Sequence, residues 1–101
     1  MESGCISATE ERLDRLLTDA KRDEVGLQTA VTEVFRHYRR PLYGYLLSFL
    51  HDSGDAEDAV QEVFLRLYTE LRGGRSFYRV RTWIFRTGHN LAIDRCRKAA
   101  R

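Results

Sequence analysis

The stretch DAEDAVQEVFLRLYTEL, Asp55 to Leu71, decides how this chain is read. With successive residues about 100° apart, Ala56, Val60, Val63, Phe64, Leu67 and Leu71 fall on one helical face, and Asp58, Gln61, Glu62, Leu65 and Thr69 gather opposite. The first face predicts core. The second is more than a solvated surface, because Leu65 stands among carboxylates and an amide, the composition of a protein-contact patch. Single exposed leucines are nevertheless common on soluble proteins. Gly73-Gly74 breaks the helix, and the thirty residues from Arg72 to Arg101 then carry 9 basic residues against one acid, Asp94. Met1 to Leu71 holds 8 basic residues and 14 acidic ones. This asymmetry predicts two different partners, with a polyanion the natural one for the basic third. A basic helix that is merely solvated is the bland alternative.

Working outward, 101 residues suit one small domain, and 43% apolar with 32% charged residues excludes a wholly disordered chain. No apolar run approaches the roughly 20 residues of a membrane span. The opening MESGCISATEERLDRL has neither the basic nor the apolar part of a signal peptide, so a cytoplasmic protein without membrane contact is expected. Pro41 is the one proline, and no run alternates apolar with polar residues between turns, which predicts an all-α fold, a small bundle of about four helices. The first helix is expected from Ser7, which has capping-box spacing to Glu10. It carries a stripe of Leu13, Leu16, Leu17 and Ala20 and ends before Gly26. The next runs from about Leu27 through Ala30, Val34 and Tyr38, continuing past Pro41 with Leu42, Leu46 and Phe49, and either kinks at the proline or divides there. His51 to Asp55 reads as a turn, with Asp55 as cap of the quoted helix and Glu57 and Asp58 near the positive end of its dipole. The last helix starts near Val80 with a core stripe of Val80, Ile84, Thr87 and Leu91.

In the basic third, Arg72, Arg75, Arg79, Arg81 and Arg86 are interleaved with Phe77, Tyr78, Trp83 and Phe85. Guanidinium groups hold phosphates while aromatic rings stack unpaired bases, a pairing that duplex readers do not require. On a flank of the last helix Arg86, Asn90 and Arg97 align, with Trp83 nearby, and Asn90 has the amide that reads a base edge. Trp83 and Phe85 also suit packing, which is favoured for Trp83, and Asn90 suits local backbone bonding. Enzymatic chemistry is not expected: His37, His51 and His89 are scattered, and no phosphate-cradling glycine loop occurs. Asp58 with Glu62 is a helix face rather than a metal or acid–base pair, and Cys5 and Cys96 lack the spacing of a zinc site or a disulfide framework. No metal or cofactor is expected.

DAEDAVQEVFLRLY followed by RTWIFRTGHNLAIDRCRK resembles region 2 of bacterial RNA polymerase sigma factors of the extracytoplasmic-function (ECF) group. The resemblance implies a sigma region 2-like bundle over residues 26–101, with residues 1–25 as an N-terminal extension bearing an acidic amphipathic helix. That helix either covers the basic surface or is a loose extension, and the latter is favoured. The resemblance implies that Asp58, Gln61, Glu62 and Leu65 dock on the beta-prime clamp helices of core RNA polymerase. The linker from Arg72 to Arg86 would help melt the minus-ten promoter element, and the last helix around His89 and Asn90 would recognise its non-template strand. An anti-sigma factor is implied as a further partner. The expected promoter-contacting set is Arg75, Phe77, Tyr78, Arg79, Arg81, Trp83, Arg86, His89, Asn90 and Arg97. Two departures stand out: GGRSFYRV replaces the glycine-acid-serine linker common in the group, and the helix-turn-helix of region 4 is absent, so the chain is expected to be a fragment. A helical DNA-binding or adaptor module that never meets polymerase is the alternative, and it would need no patch around Leu65.

Overall fold

In the computed structural model, which describes residues 7–20 and 23–99, four α-helices follow one another: α1 (Ala8–Asp19), α2 (Glu24–Leu50), α3 (Ser53–Arg72) and α4 (Val80–Ala99). Among the described residues there is no strand, and no helix is long and apolar enough to cross a membrane. Cys5 and Arg101 lie outside the described residues.

The quoted helix folds as its pattern dictates. Ala56, Val60, Val63, Phe64, Leu67 and Leu71 are all buried, joined by Ala59. Its start differs from expectation. Asp52, not Asp55, is the N-cap, its carboxylate accepting from the Asp55 amide at 2.9 Å. Asp55, freed from capping, lies 3.7 Å from Arg95 and ties the start of α3 to the end of α4. The turn is therefore only His51-Asp52, because His51 adopts the left-handed conformation (φ 58°) and returns its N–H to the Leu47 carbonyl.

α2 is one continuous helix through Pro41, and it begins at Glu24, capped by Asp23, three residues before the expected Leu27, so that Gly26 lies inside its first turn; α1 ends before Gly26 as expected. Proline there removes the N–H that would reach the His37 carbonyl. Both residues are exposed, so water can satisfy that carbonyl, while Tyr38 and Leu42 on either side stay buried. α4 packs on α2 through a stripe shifted from the expected one: Val80, Ile84, Gly88 and Ala92 are buried, whereas Thr87 and Leu91 are only partly covered. Spacing four throughout, with small residues at the last two places, lets the α4 backbone approach α2 closely. A Cβ on Gly88 would sit 3.1 Å from Leu42 Cδ1 and 3.3 Å from Leu46 Cδ2.

α1 is not a loose extension. Leu13 and Leu17 enter the same buried cluster as α2, α3 and α4. The Ser7 hydroxyl accepts from the Glu10 amide at 3.1 Å, as the capping-box spacing predicts, but the Glu10 carboxylate lies 3.4 Å from Arg81 at the start of α4. Beneath this junction Tyr38 is buried, and its hydroxyl has no hydrogen-bond partner among the described residues. Burial pushes its pKa from 10.0 up to about 12, with the Glu10 and Asp14 carboxylates adding to the rise.

Two stability outcomes follow. Gly88→Val should lower stability by about 1–3 kcal/mol in denaturant melts, since the branched side chain meets two immobile leucines. Tyr38 holds its proton in the folded state to a higher pH than in the unfolded chain, so its contribution is complete below pH 10 and is lost as pH rises toward 12. That loss amounts to about 2–3 kcal/mol. Tyr38→Phe removes an unpaired buried hydroxyl, so urea melts should show unchanged or higher stability at neutral pH and a shallower decline above pH 10.

Candidate functional site

Two exposed surfaces emerge from this packing. The first is the outer face of α3. Asp58 and Gln61 are exposed, Glu62 is half-buried with its carboxylate accepting from Arg66 Nε at 3.0 Å, and Leu65 is 64% exposed. The sequence pattern did not reveal how far this surface extends. Gln61 lines two adjoining grooves between α2 and α3, one reaching Phe35, Arg39, Arg40 and Tyr43, the other reaching Glu24, Leu65, Tyr68 and Arg72. Phe35 packs edge-on against Phe64 at 5.0 Å, and the Arg39 guanidinium lies 5.7 Å above Phe35. The patch is thus an acidic and apolar centre with a basic rim from α2, rather than a purely acidic surface. At its far end the Tyr68 hydroxyl donates to the Glu24 carboxylate, which also accepts from Gln28, and these bonds hold Glu24 below the usual carboxylate range. Phe35 and Tyr43, both partly exposed aromatics of α2, are the sequence signal that could have marked this groove.

The second surface is cationic. After α3, Gly73 and Gly74 turn the chain, Gly74 with φ 97°, and the Arg75 amide returns to the Glu70 carbonyl at 3.0 Å. The linker from there to α4 is fixed at its middle by Phe77, which is 8% exposed and packs edge-on against Trp83 at 5.1 Å. Phe77 is therefore a core anchor, with its ring unavailable for stacking on bases. Its neighbour Tyr78 is 88% exposed, with the Arg79 guanidinium 5.9 Å from its ring. Arg75 spans the Phe77 and Trp83 rings at 5.2 and 5.9 Å and pairs with Glu70 at 3.3 Å. Trp83 is half-buried, as a packing residue would be, yet borders solvent. Along α4, Arg86, Asn90 and Arg97 are exposed and follow Arg79 and Trp83 at spacings of three, four and seven, which keeps them on one face.

Arg75, Tyr78, Arg79, Trp83, Arg86, Asn90 and Arg97 thus share one region. Arg81 and His89 do not. Arg81 points to the α1 side, pairing with Glu10 and lying 4.9 Å from the Phe85 ring. His89 belongs to an aromatic group with Tyr45 and Phe49, its Nδ1 3.0 Å from the Tyr45 hydroxyl. Cys96 is an exposed free thiol whose Sγ lies 3.8 Å from the Phe49 carbonyl.

Comparison with known proteins agrees with this architecture. The family model described as Sigma-70 region 2 matches residues 34–101. The chain is 34% identical over 68 residues to the ECF RNA polymerase sigma factor SigM of Bacillus subtilis, which covers 67% of this chain and 41% of that protein. It is 32% identical over 78 residues to SigW of the same organism, covering 77% and 42%, and 31% identical over 87 residues to the RNA polymerase sigma-H factor of Pseudomonas aeruginosa, covering 83% and 42%. The chain therefore spans about two fifths of the length of these curated relatives. No solved structure gives a significant match. Two of these relatives carry the extracytoplasmic-function name, and with more than half of its residues matched by the family model, the chain belongs to the sigma-70 region 2 family.

Proposed function

We propose that this domain joins core RNA polymerase to the opened minus-ten promoter element during transcription initiation, using its two surfaces for the two partners. The observation that supports this most is the set of exposed groups formed by Arg75, Tyr78 and Arg79 on the linker and Arg86, Asn90 and Arg97 on α4, with half-buried Trp83 between them. Guanidinium groups neutralise successive phosphates of a single strand, and Tyr78 with the solvent edge of Trp83 offers flat faces to unpaired bases. Asn90, exposed midway along α4, presents an amide for paired hydrogen bonds to a base edge. The printed names of the relatives, RNA polymerase sigma factors, support polymerase as the other partner.

On the polymerase side, Leu65 is the apolar anchor and Asp58, Gln61 and Glu62 surround it with acceptors, suited to a helical partner carrying basic side chains such as the beta-prime clamp helices. Glu62 already bonds Arg66, so its carboxylate is held in place before a partner arrives. An anti-sigma factor that occludes either surface would silence the domain, and the domain acts where polymerase acts, in the cytoplasm.

Gln61→Ala combined with Glu62→Ala should weaken association with core polymerase about ten-fold or more in a pull-down titration while leaving the circular dichroism spectrum intact. Unchanged association would favour a helical DNA-binding or adaptor module that works apart from polymerase. If Arg75, Arg79, Arg86 and Arg97 each meet a phosphate, affinity for single-stranded promoter DNA should fall about 50-fold between roughly 50 and 200 mM salt. In fluorescence anisotropy over an oligonucleotide panel, Arg86→Ala should weaken all sequences alike and flatten the salt slope. Asn90→Ala should instead narrow the difference between preferred and unpreferred sequences.

A further inference from the structure

α4 begins without a cap of its own. Residues 77–79 are Phe, Tyr and Arg, none of which has a short side-chain acceptor for the first amides of a helix. The acceptor comes from α1, 66 positions earlier in the chain. Asp14 Oδ1 accepts from the Val80 amide at 2.9 Å in a part-buried setting. The carboxylate also lies at the positive end of the α4 dipole, where a negative charge is favoured. One turn away, Glu10 holds Arg81 at 3.4 Å, and Leu13 between them is fully buried. α1 is thus attached to the α4 terminus by an apolar plug flanked by two carboxylates.

This terminus is where the cationic linker ends. Between Gly74 and Val80 the linker has one apolar anchor, Phe77, and beyond it Tyr78 and Arg79 are exposed. Whatever fixes the Val80 amide fixes the direction in which Tyr78 and Arg79 leave the helix.

We propose that Asp14 is a positioning residue for promoter contact: by capping α4 from α1, it sets the orientation of Tyr78 and Arg79 and the order of the first α4 turn. This rests on the reading of the cationic surface as a single-strand site. It extends that reading to a helix that lies outside the matched residues 34–101. The fully buried Leu13 beside Asp14 makes α1 a standing part of the fold, and so distinguishes positioning from a detachable acidic cover.

The test uses the 101-residue chain as wild type, Asp14→Ala and Asp14→Asn. Asn keeps an acceptor of the same reach without the charge, and Ala keeps neither. Hydrogen exchange should show protection of the 80–83 amides reduced about five-fold or more in Asp14→Ala and largely kept in Asp14→Asn, with α3 amides unchanged in both. Anisotropy with a single-stranded minus-ten oligonucleotide should follow the same order, about five-fold weaker binding for Ala and recovery with Asn. Association with polymerase through α3 should be unaffected. Wild-type protection and binding in Asp14→Ala would overturn the proposal. So would equal loss of protection in α3 and α4, or failure of Asp14→Ala to fold, since either would make Asp14 a support of the whole bundle rather than of this terminus. If wild type itself does not bind single strands, the single-strand reading fails and the proposal with it, while the exchange pattern still reports separately whether Asp14 caps α4.

Discussion

The close approach of α4 to α2 is the constraint on which the rest of the molecule depends. The fully buried stripe of α4 is narrow, and half of it, Gly88 and Ala92, supplies almost no side-chain area, while Trp83, Phe85 and Leu91 pack partly buried beside it. Beside that burial, the α4 backbone lies close against Leu42 and Leu46 with no Cβ at position 88 between them. A narrow buried stripe leaves a wide outer surface. That surplus is what allows one side of α4 to be given over to Arg86, Asn90 and Arg97 while the helix remains part of the bundle.

The charge pattern acquires a structural meaning that its total conceals. Acids and bases segregate along the chain, but in space they also meet at a few chosen places: Glu10 with Arg81, Asp55 with Arg95, Glu70 with Arg75. These pairs are exposed enough that each contributes little to stability, yet each joins α4 or its linker to another helix. Among the described residues, the arginines proposed for DNA are mostly those left outside such pairs, with Arg75 belonging to both groups.

The helices and the α3 core face were legible in the sequence because a period of 3.6 with large side chains leaves an unambiguous mark, as at Val60, Val63, Phe64 and Leu67. The α4 stripe agrees with the pattern at Val80 and Ile84 and shifts by one residue in its second half, because Gly88 and Ala92 do not look apolar enough to count, while Thr87 and Leu91 do. The cap of α3 was assigned to Asp55 rather than Asp52, two acids within one turn that composition alone does not separate. Within the cationic site, exposure of Tyr78 against burial of Phe77 was not legible, since both are aromatics in the same interleaved run. The service of α1 to α4 lay furthest from reach. A cap supplied across 66 positions has no spacing signature, and its only trace in the sequence is a helix start that lacks a residue able to cap it.

The two-residue link of His51 and Asp52 bears on how the α2 and α3 surfaces can be used. With one residue in the left-handed conformation and the next already capping α3, no freely rotating hinge remains between the two helices. The short link restrains the relative placement of the two helices that line the shared grooves. A restraint of this kind lowers the conformational entropy that would be surrendered in ordering the two helices against a third body.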